Sequence, residues 1–294
     1  MSPQLLGHLA MLAFSALVAG SFSLGSLVAN DIAPAALNAV RFVLAAAVIG
    51  AVIVGRGGGI PPGSFKAPWR YAVLGGLFGF YFVMMFEGLK TAPPVRAAAV
   101  FTLVPIMVAG IAWLLLHQRT TRRMALALGI GGAGALWVIF RADLGALLAF
   151  DIGRGEAIYF VGCISHAIYT PMVRKLNRGE PLLVFVFGTL VAGAVLLSLA
   201  GWRDIIATDW QGLSALVWIT ILYTALAATA ITTFLVQFAA LGLPSAKVMA
   251  YTYLTPSWVI VWQIMLGGAV PGPLVFGGVA LTVLALWLLL RDEA

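Results

Sequence analysis

Few side chains in this sequence can hold or move a charge, so their positions carry the chemistry. Two stretches share one plan. APPVRAAAVFTLVP (92–105) sets Arg96 at the head of an apolar run closed by Pro105, and PSAKVMAYTYLTP (244–256) repeats it with Lys247 and Pro256. A cation so placed can meet a carboxylate or phosphate, or it can snorkel to lipid headgroups. For either residue alone snorkelling is the better reading. As a matched pair, substrate contact draws level with it. Lys247, Tyr251, Leu254 and Trp258 follow the i, i+4, i+7, i+11 spacing of one helix face. That face mixes a cation, a phenol and an indole, whereas Arg96, Val100, Leu103 and Met107 form a blander counterpart.

His166 lies within an apolar run, with Tyr159, Cys163 and Tyr169 on or beside its face. A neutral imidazole bonded to a neighbouring helix is the plainer expectation, a proton carrier the sharper one. Tyr81, Phe101, Tyr159, Tyr251 and Tyr253 offer aromatic walls, and Gln237 an amide; packing or an interfacial belt is the plainer role for such residues. Arg41 stands early in its run, near Asp31 in sequence, and reads as an anchor. Glu87 beside Lys90 reads as a local ion pair. Gly129, Gly131, Gly132 and Gly134, with Gly277 and Gly278, read as smooth faces for close helix approach. H-E-x-x-H and G-x-S-x-G are absent, and Ser165 and His166 point to different helix faces, so no enzyme, metal or cofactor is expected.

The elements that must position these residues follow from composition. Of 294 residues, 62% are hydrophobic and 9% charged, too few charges to cover a water-soluble surface. Recurring charge-free runs imply an all-α polytopic membrane protein. Ten spans are expected, near 5–29, 34–55, 69–89, 94–117, 122–141, 155–175, 181–201, 212–240, 244–266 and 272–290. The net charge of +7 sits in short clusters between the runs, which is positive-inside anchoring and not a nucleic-acid surface. Arg56, Lys66 and Arg70, then Arg119, Arg122 and Arg123, then Arg174, Lys175 and Arg178, and finally Arg291 mark the cytoplasmic side. Lys90, Arg141, Arg154 and Arg203 are the sparser cations opposite. Both termini then face the cytoplasm. Cys163, the single cysteine, reads as a packing residue.

Pro105 and Pro256 stand 151 positions apart, as do Pro93 and Pro244, Arg96 and Lys247, and Leu103 and Leu254. ALWVIFR (135–141) is echoed by ALWLLLR (285–291). Residues 1–143 and 144–294 are therefore expected to be two five-helix repeats. Five is odd, so the second copy enters from the opposite face, an inverted repeat of the kind found in secondary transporters. The two prolines then read as paired hinges inside their helices.

With LNAVRFVLAA (37–46), AAAVFTLVP, AIYTPMVRKL (167–176) and TYLTP, the chain resembles the drug/metabolite transporter superfamily. The likeness is to its EamA-type ten-helix branch, and within it to YddG-type exporters of aromatic amino acids. That family commonly ends helices 4 and 9 with a Glu, where this chain has His117–Gln118 and Gly267–Gly268. The resemblance implies ten helices around a central cavity in a bacterial inner membrane, with substrates moving outward. The expected function is a secondary exporter or facilitator of amino acids and similar small metabolites. A proton-coupled multidrug antiporter and a phosphate-sugar antiporter stand as alternatives. The partners are a small-molecule substrate and the lipid bilayer, with monomer and dimer both open.

Overall fold

A computed structural model describes residues 3–57, 59–140, 142–149 and 151–291. Arg141, counted above among the loop cations, lies outside the described residues. Among those described, all regular structure is helical. The first half holds α1 (Pro3–Val28), α2 (Pro34–Gly55), α3 (Trp69–Leu89), α4 (Pro94–Phe101), α5 (Val104–Leu116), α6 (Arg122–Ile139) and the short α7 (Leu144–Leu148). The second half holds α8 (Arg154–Leu176), α9 (Leu182–Ala200), the short α10 (Trp202–Ala207) and α11 (Ala215–Ala225). A π-helical turn (Leu226–Ile231) leads into α12 (Thr232–Gly242). After it come α13 (Ser245–Ala250), a 3-10 turn (Tyr251–Leu254), α14 (Thr255–Met265) and α15 (Pro273–Arg291).

Local chemistry sets the helix starts. Pro34 and Pro94 occupy the first turn of α2 and α4, where a missing N–H leaves nothing unpaired. The Thr121 and Ser214 side chains accept from Met124 N and Val217 N and cap α6 and α11. The Asp143 carboxylate accepts from Gly145 N at 2.7 Å and Ala146 N at 3.2 Å, founding α7. Helices α7 and α10 are too short to cross a bilayer, so a search for apolar runs passes over them.

Among the described residues eight stretches are long and apolar enough to span: α1, α2, α3, α4–α5, α6, α9, α11–α12 and α15. Two of the expected spans fall outside that set. Helix α8 includes Glu156, Ser165, His166, Thr170 and Pro171, which lower its hydropathy, and α13 and α14 are short helices parted by the 3-10 turn. Pro105 and Pro256 also differ from expectation, because neither sits inside a continuous helix. Each lies in the first turn of a new one, α5 or α14, just past an interruption. At the first interruption Thr102 N bonds Ala99 O and Leu103 N bonds Val100 O, the tighter i→i+3 pattern.

Directions of run can be read from the contacts. Gly88 meets Gly155 and Gly162 meets Tyr81, so α3 and α8 are antiparallel. Phe42 lies at Gly193 and Phe187 at Gly50, making α2 and α9 antiparallel. Gly134 meets Gly278, and Trp137 Nε1 donates to Leu274 O, so α6 and α15 are antiparallel too. By contrast, Tyr251 pairs with His8 and Trp258 with Ser15, so α14 runs parallel to α1. Outward faces expose Leu114, Leu126, Val195, Leu199 and Ile219, an apolar girdle suited to lipid tails.

Candidate substrate site

The α3–α8 contact is close because both helices present glycine there. A Cβ on Gly155 would stand 2.3 Å from Gly88 O, so any larger residue would part the helices. One turn inward, the approach brings Tyr81 Oη and Tyr159 Oη to 2.9 Å. Residues 78, 81 and 82 lie on one side of α3, and residues 159, 166 and 169 lie on the facing side of α8. Phe101 of α4 and Phe22 of α1 close the group. Phe101 lies 5.7 Å from Tyr81 and 6.0 Å from Phe22 between ring centroids, and Phe22 lies 5.7 Å from Tyr159.

His166 occupies the middle. Its ring centroid is 4.5 Å from Tyr81, 5.5 Å from Phe101, 5.7 Å from Tyr169 and 5.9 Å from Phe78. Both ring nitrogens are buried without a hydrogen-bond partner. The bonded imidazole expected from sequence is therefore not what the fold builds: the nearby phenol oxygens are engaged elsewhere, Tyr81 with Tyr159 and Tyr169 with Gln237. Gln237 reaches the same cluster from α12, donating to Tyr169 Oη at 3.1 Å and Thr189 Oγ1 at 3.2 Å, with its Oε1 unpartnered.

The remaining residues named from sequence lie elsewhere. Arg96 Nε stands 3.0 Å from Glu156 Oε1 in an ion pair across α4 and α8, with Glu156 buried. Lys247 is buried on α13; four and eleven positions on, Tyr251 Oη lies 3.1 Å from His8 Nδ1 and Trp258 Nε1 donates to Ser15 Oγ at 3.2 Å, both on α1. Tyr253, two positions on, points the other way; a Cβ on Gly131 of α6 would meet its Cζ at 2.3 Å. Tyr251 and Tyr253 thus line different surfaces. The Glu87–Lys90 pair forms locally at 2.7 Å.

Phe78 goes unnamed in the sequence, and Arg41 takes a place that its sequence position does not announce. Phe78 stacks on Tyr169 at 4.8 Å, one apolar residue among many along α3. Arg41 does not turn to Asp31 but inward, wholly buried. Its Nε donates to Thr229 Oγ1, an NH2 proton to Ala228 O at 2.8 Å and an NH1 proton to Asn38 Oδ1 at 3.4 Å, while its Cζ lies 3.6 Å over the Phe82 ring. The usable signal was a cation seven positions into an apolar span with no acid a helical turn away.

At the far end of α3, Arg70 donates to Leu176 O at 2.7 Å and pairs with Glu180. Partial burial pushes the Glu180 carboxyl up. Hydrogen bonds from Arg70 and from Arg178 N, with the charge of Arg70, outweigh that and hold it below its ordinary 4.5.

Residues 5–140 and again 153–291 match the EamA-like transporter family. The uncharacterized transporter YyaM of Bacillus subtilis (strain 168) is 31% identical over 193 residues, 65% of this chain and 63% of that protein. The aromatic amino acid exporter YddG of Ancylobacter novellus is 35% identical over 109 residues, 36% of this chain and 35% of that protein. The chain thus matches less than two thirds of the length of either relative. A protein crystal structure superposes with a TM-score of 0.73 at 23% identity, over 100% of this chain and 99% of that one, a likeness of fold alone.

Proposed function

The chain belongs to the EamA-like transporter family, a multi-pass integral membrane protein, and from that premise we propose that it exports aromatic and other neutral amino acids and similar small metabolites. It works as a facilitator by alternating access, without enzymatic chemistry, in a bacterial inner membrane. Two inverted repeats, 1–143 and 144–294, cross ten times with both termini in the cytoplasm. The directions of run support this: α3 against α8, α2 against α9 and α6 against α15 are antiparallel, and α1 with α14 parallel, as ten alternating crossings require.

The observation that carries the substrate class is the buried cluster of Tyr81, Phe101 and Tyr169 around an unbonded His166, with Tyr159 bonded to Tyr81. Stacked and tilted rings with polar tips suit an aromatic or apolar amino-acid side chain. Purified protein in proteoliposomes is expected to equilibrate labelled tryptophan, phenylalanine or threonine without an imposed pH gradient. Flux at the lipid background for every amino acid tried refutes this reading. A second reading, proton-coupled antiport, is favoured by the same unbonded imidazole; tryptophan flux that requires a proton gradient would select it.

A further inference from the structure

We propose that Arg41 binds the carboxylate of the transported substrate, at a site formed by α2, α3 and the π-helical turn Leu226–Ile231. The inference rests on the transport reading above and assigns the charge recognition within it.

Arg41 is wholly buried, and every hydrogen-bond partner recorded for it is neutral: Thr229 Oγ1, Ala228 O and Asn38 Oδ1. No carboxylate forms an ion pair with it among the described residues. A charge held in a spanning segment with neutral partners is strongly unfavourable unless a countercharge or water arrives. A tie between two helices needs no such charge, since an amide serves it. The charge has a use if an anion visits.

The partner element is itself irregular. The π-helical turn opens the regular hydrogen-bond ladder of α11–α12 beside the guanidinium, an irregularity that recurs at functional sites. Thr232 and Thr233, one turn beyond Thr229, keep buried hydroxyls without a partner. Thr233, four positions beyond Thr229, shares its side of the helix and has a donor to spare. The other cation named on the first repeat, Arg96, is already met by Glu156.

Phe82, under the guanidinium, has its ring centroid 4.7 Å from both Phe78 and Tyr81, which pack on His166. Asn38 Nδ2 donates to Phe82 O at 3.4 Å, which sets Arg41 and the cluster at one depth. Cation and aromatic cluster stand one ring apart, a spacing that suits the two ends of an aromatic amino acid.

Competition in proteoliposomes holding the full chain tests this. Indole-3-propionate, which has the carboxylate and no amine, is expected to inhibit wild-type tryptophan flux, and tryptophanamide is expected not to. Arg41→Gln is expected to lower tryptophan flux by about tenfold or more, the loss of a charge-assisted bond, and Arg41→Lys to restore part of it. Equal inhibition of the wild type by acid and amide overturns the assignment, whether or not the variants fold. So does wild-type tryptophan flux in Arg41→Gln. If wild-type vesicles carry no amino acid, the transport reading itself falls and this inference with it.

Discussion

A buried imidazole with two unbonded nitrogens is a cost the fold accepts at His166. Leaving a buried polar group unsatisfied forfeits ~1–3 kcal/mol, and the four rings within 6 Å return dispersion but no hydrogen bond. A group kept under that cost is explained if its partner is the substrate. His166→Phe is then expected to keep or raise the thermal midpoint in detergent while slowing tryptophan flux several-fold. Wild-type flux in that variant would return His166 to packing. Tyr81, Phe101, Tyr159 and His166 were nameable because polar or aromatic residues stand out in apolar runs. Arg41 was equally visible as a cation, yet its direction was not. Asp31, its neighbour in sequence, offered a partner that the fold replaces with Thr229 and Ala228. Tyr251 and Tyr253 look alike in the sequence and part company in space because a helical turn aims them at α1 and α6 respectively.

Helices here are positioned by where side chains are missing as much as by where they pack. On α6, a Cβ at Gly134 would stand 2.6 Å from Gly278 O and 2.9 Å from Leu281 Cβ, whereas one at Gly129 would meet nothing within 4 Å. Gly134→Ala is expected to destabilise by ~1–3 kcal/mol through overpacking against backbone that cannot yield. Gly129→Ala should be neutral or stabilising by up to ~1 kcal/mol through helix propensity. Thermal unfolding of both variants in one detergent separates them; equal effects would remove the α6–α15 contact from the account. The glycine faces were legible as a group, but which members touch was not, since register belongs to the partner helix. The prolines show the same limit. Pro105 and Pro256 signalled a break in each repeat, but the helix has already tightened before each of them, at 102–103 and 251–254. Nothing in TALAATAITT (224–233) announced a π-helical turn.

Ties stand at both ends of one helix pair, and the alternating access proposed above requires their release in turn. Arg96 and Glu156 join α4 to α8 near Gly88, and Arg70 joins α3 to Leu176 O and Glu180. From Arg70 to Gly88 along α3 is about 27 Å by helical rise, close to the thickness of a hydrocarbon core. The repeat itself could be read from residues 151 positions apart, but these ties could not. Glu156 and Glu180 have no counterpart in the repeat pattern, and they find their cations through the α3–α8 packing. The Arg70 end can be tested by acid. The folded Glu180 carboxyl titrates below its ordinary 4.5, so the tie is complete above that value. It weakens only as pH falls through the lowered folded value. Glu180→Gln removes the charge at every pH. It is expected to lower stability by ~1–3 kcal/mol at neutral pH, the range for a charge-assisted hydrogen bond. The gap between wild type and variant should hold from about pH 7 down to about 4.5 and close below it, as pH falls through the lowered folded value, because only the wild type has this contribution left to lose. Thermal midpoints of the two proteins over that range measure it. Parallel curves with a constant gap would mean that Glu180 acts through its shape and not its charge, and the Arg70 end would then be no electrostatic latch.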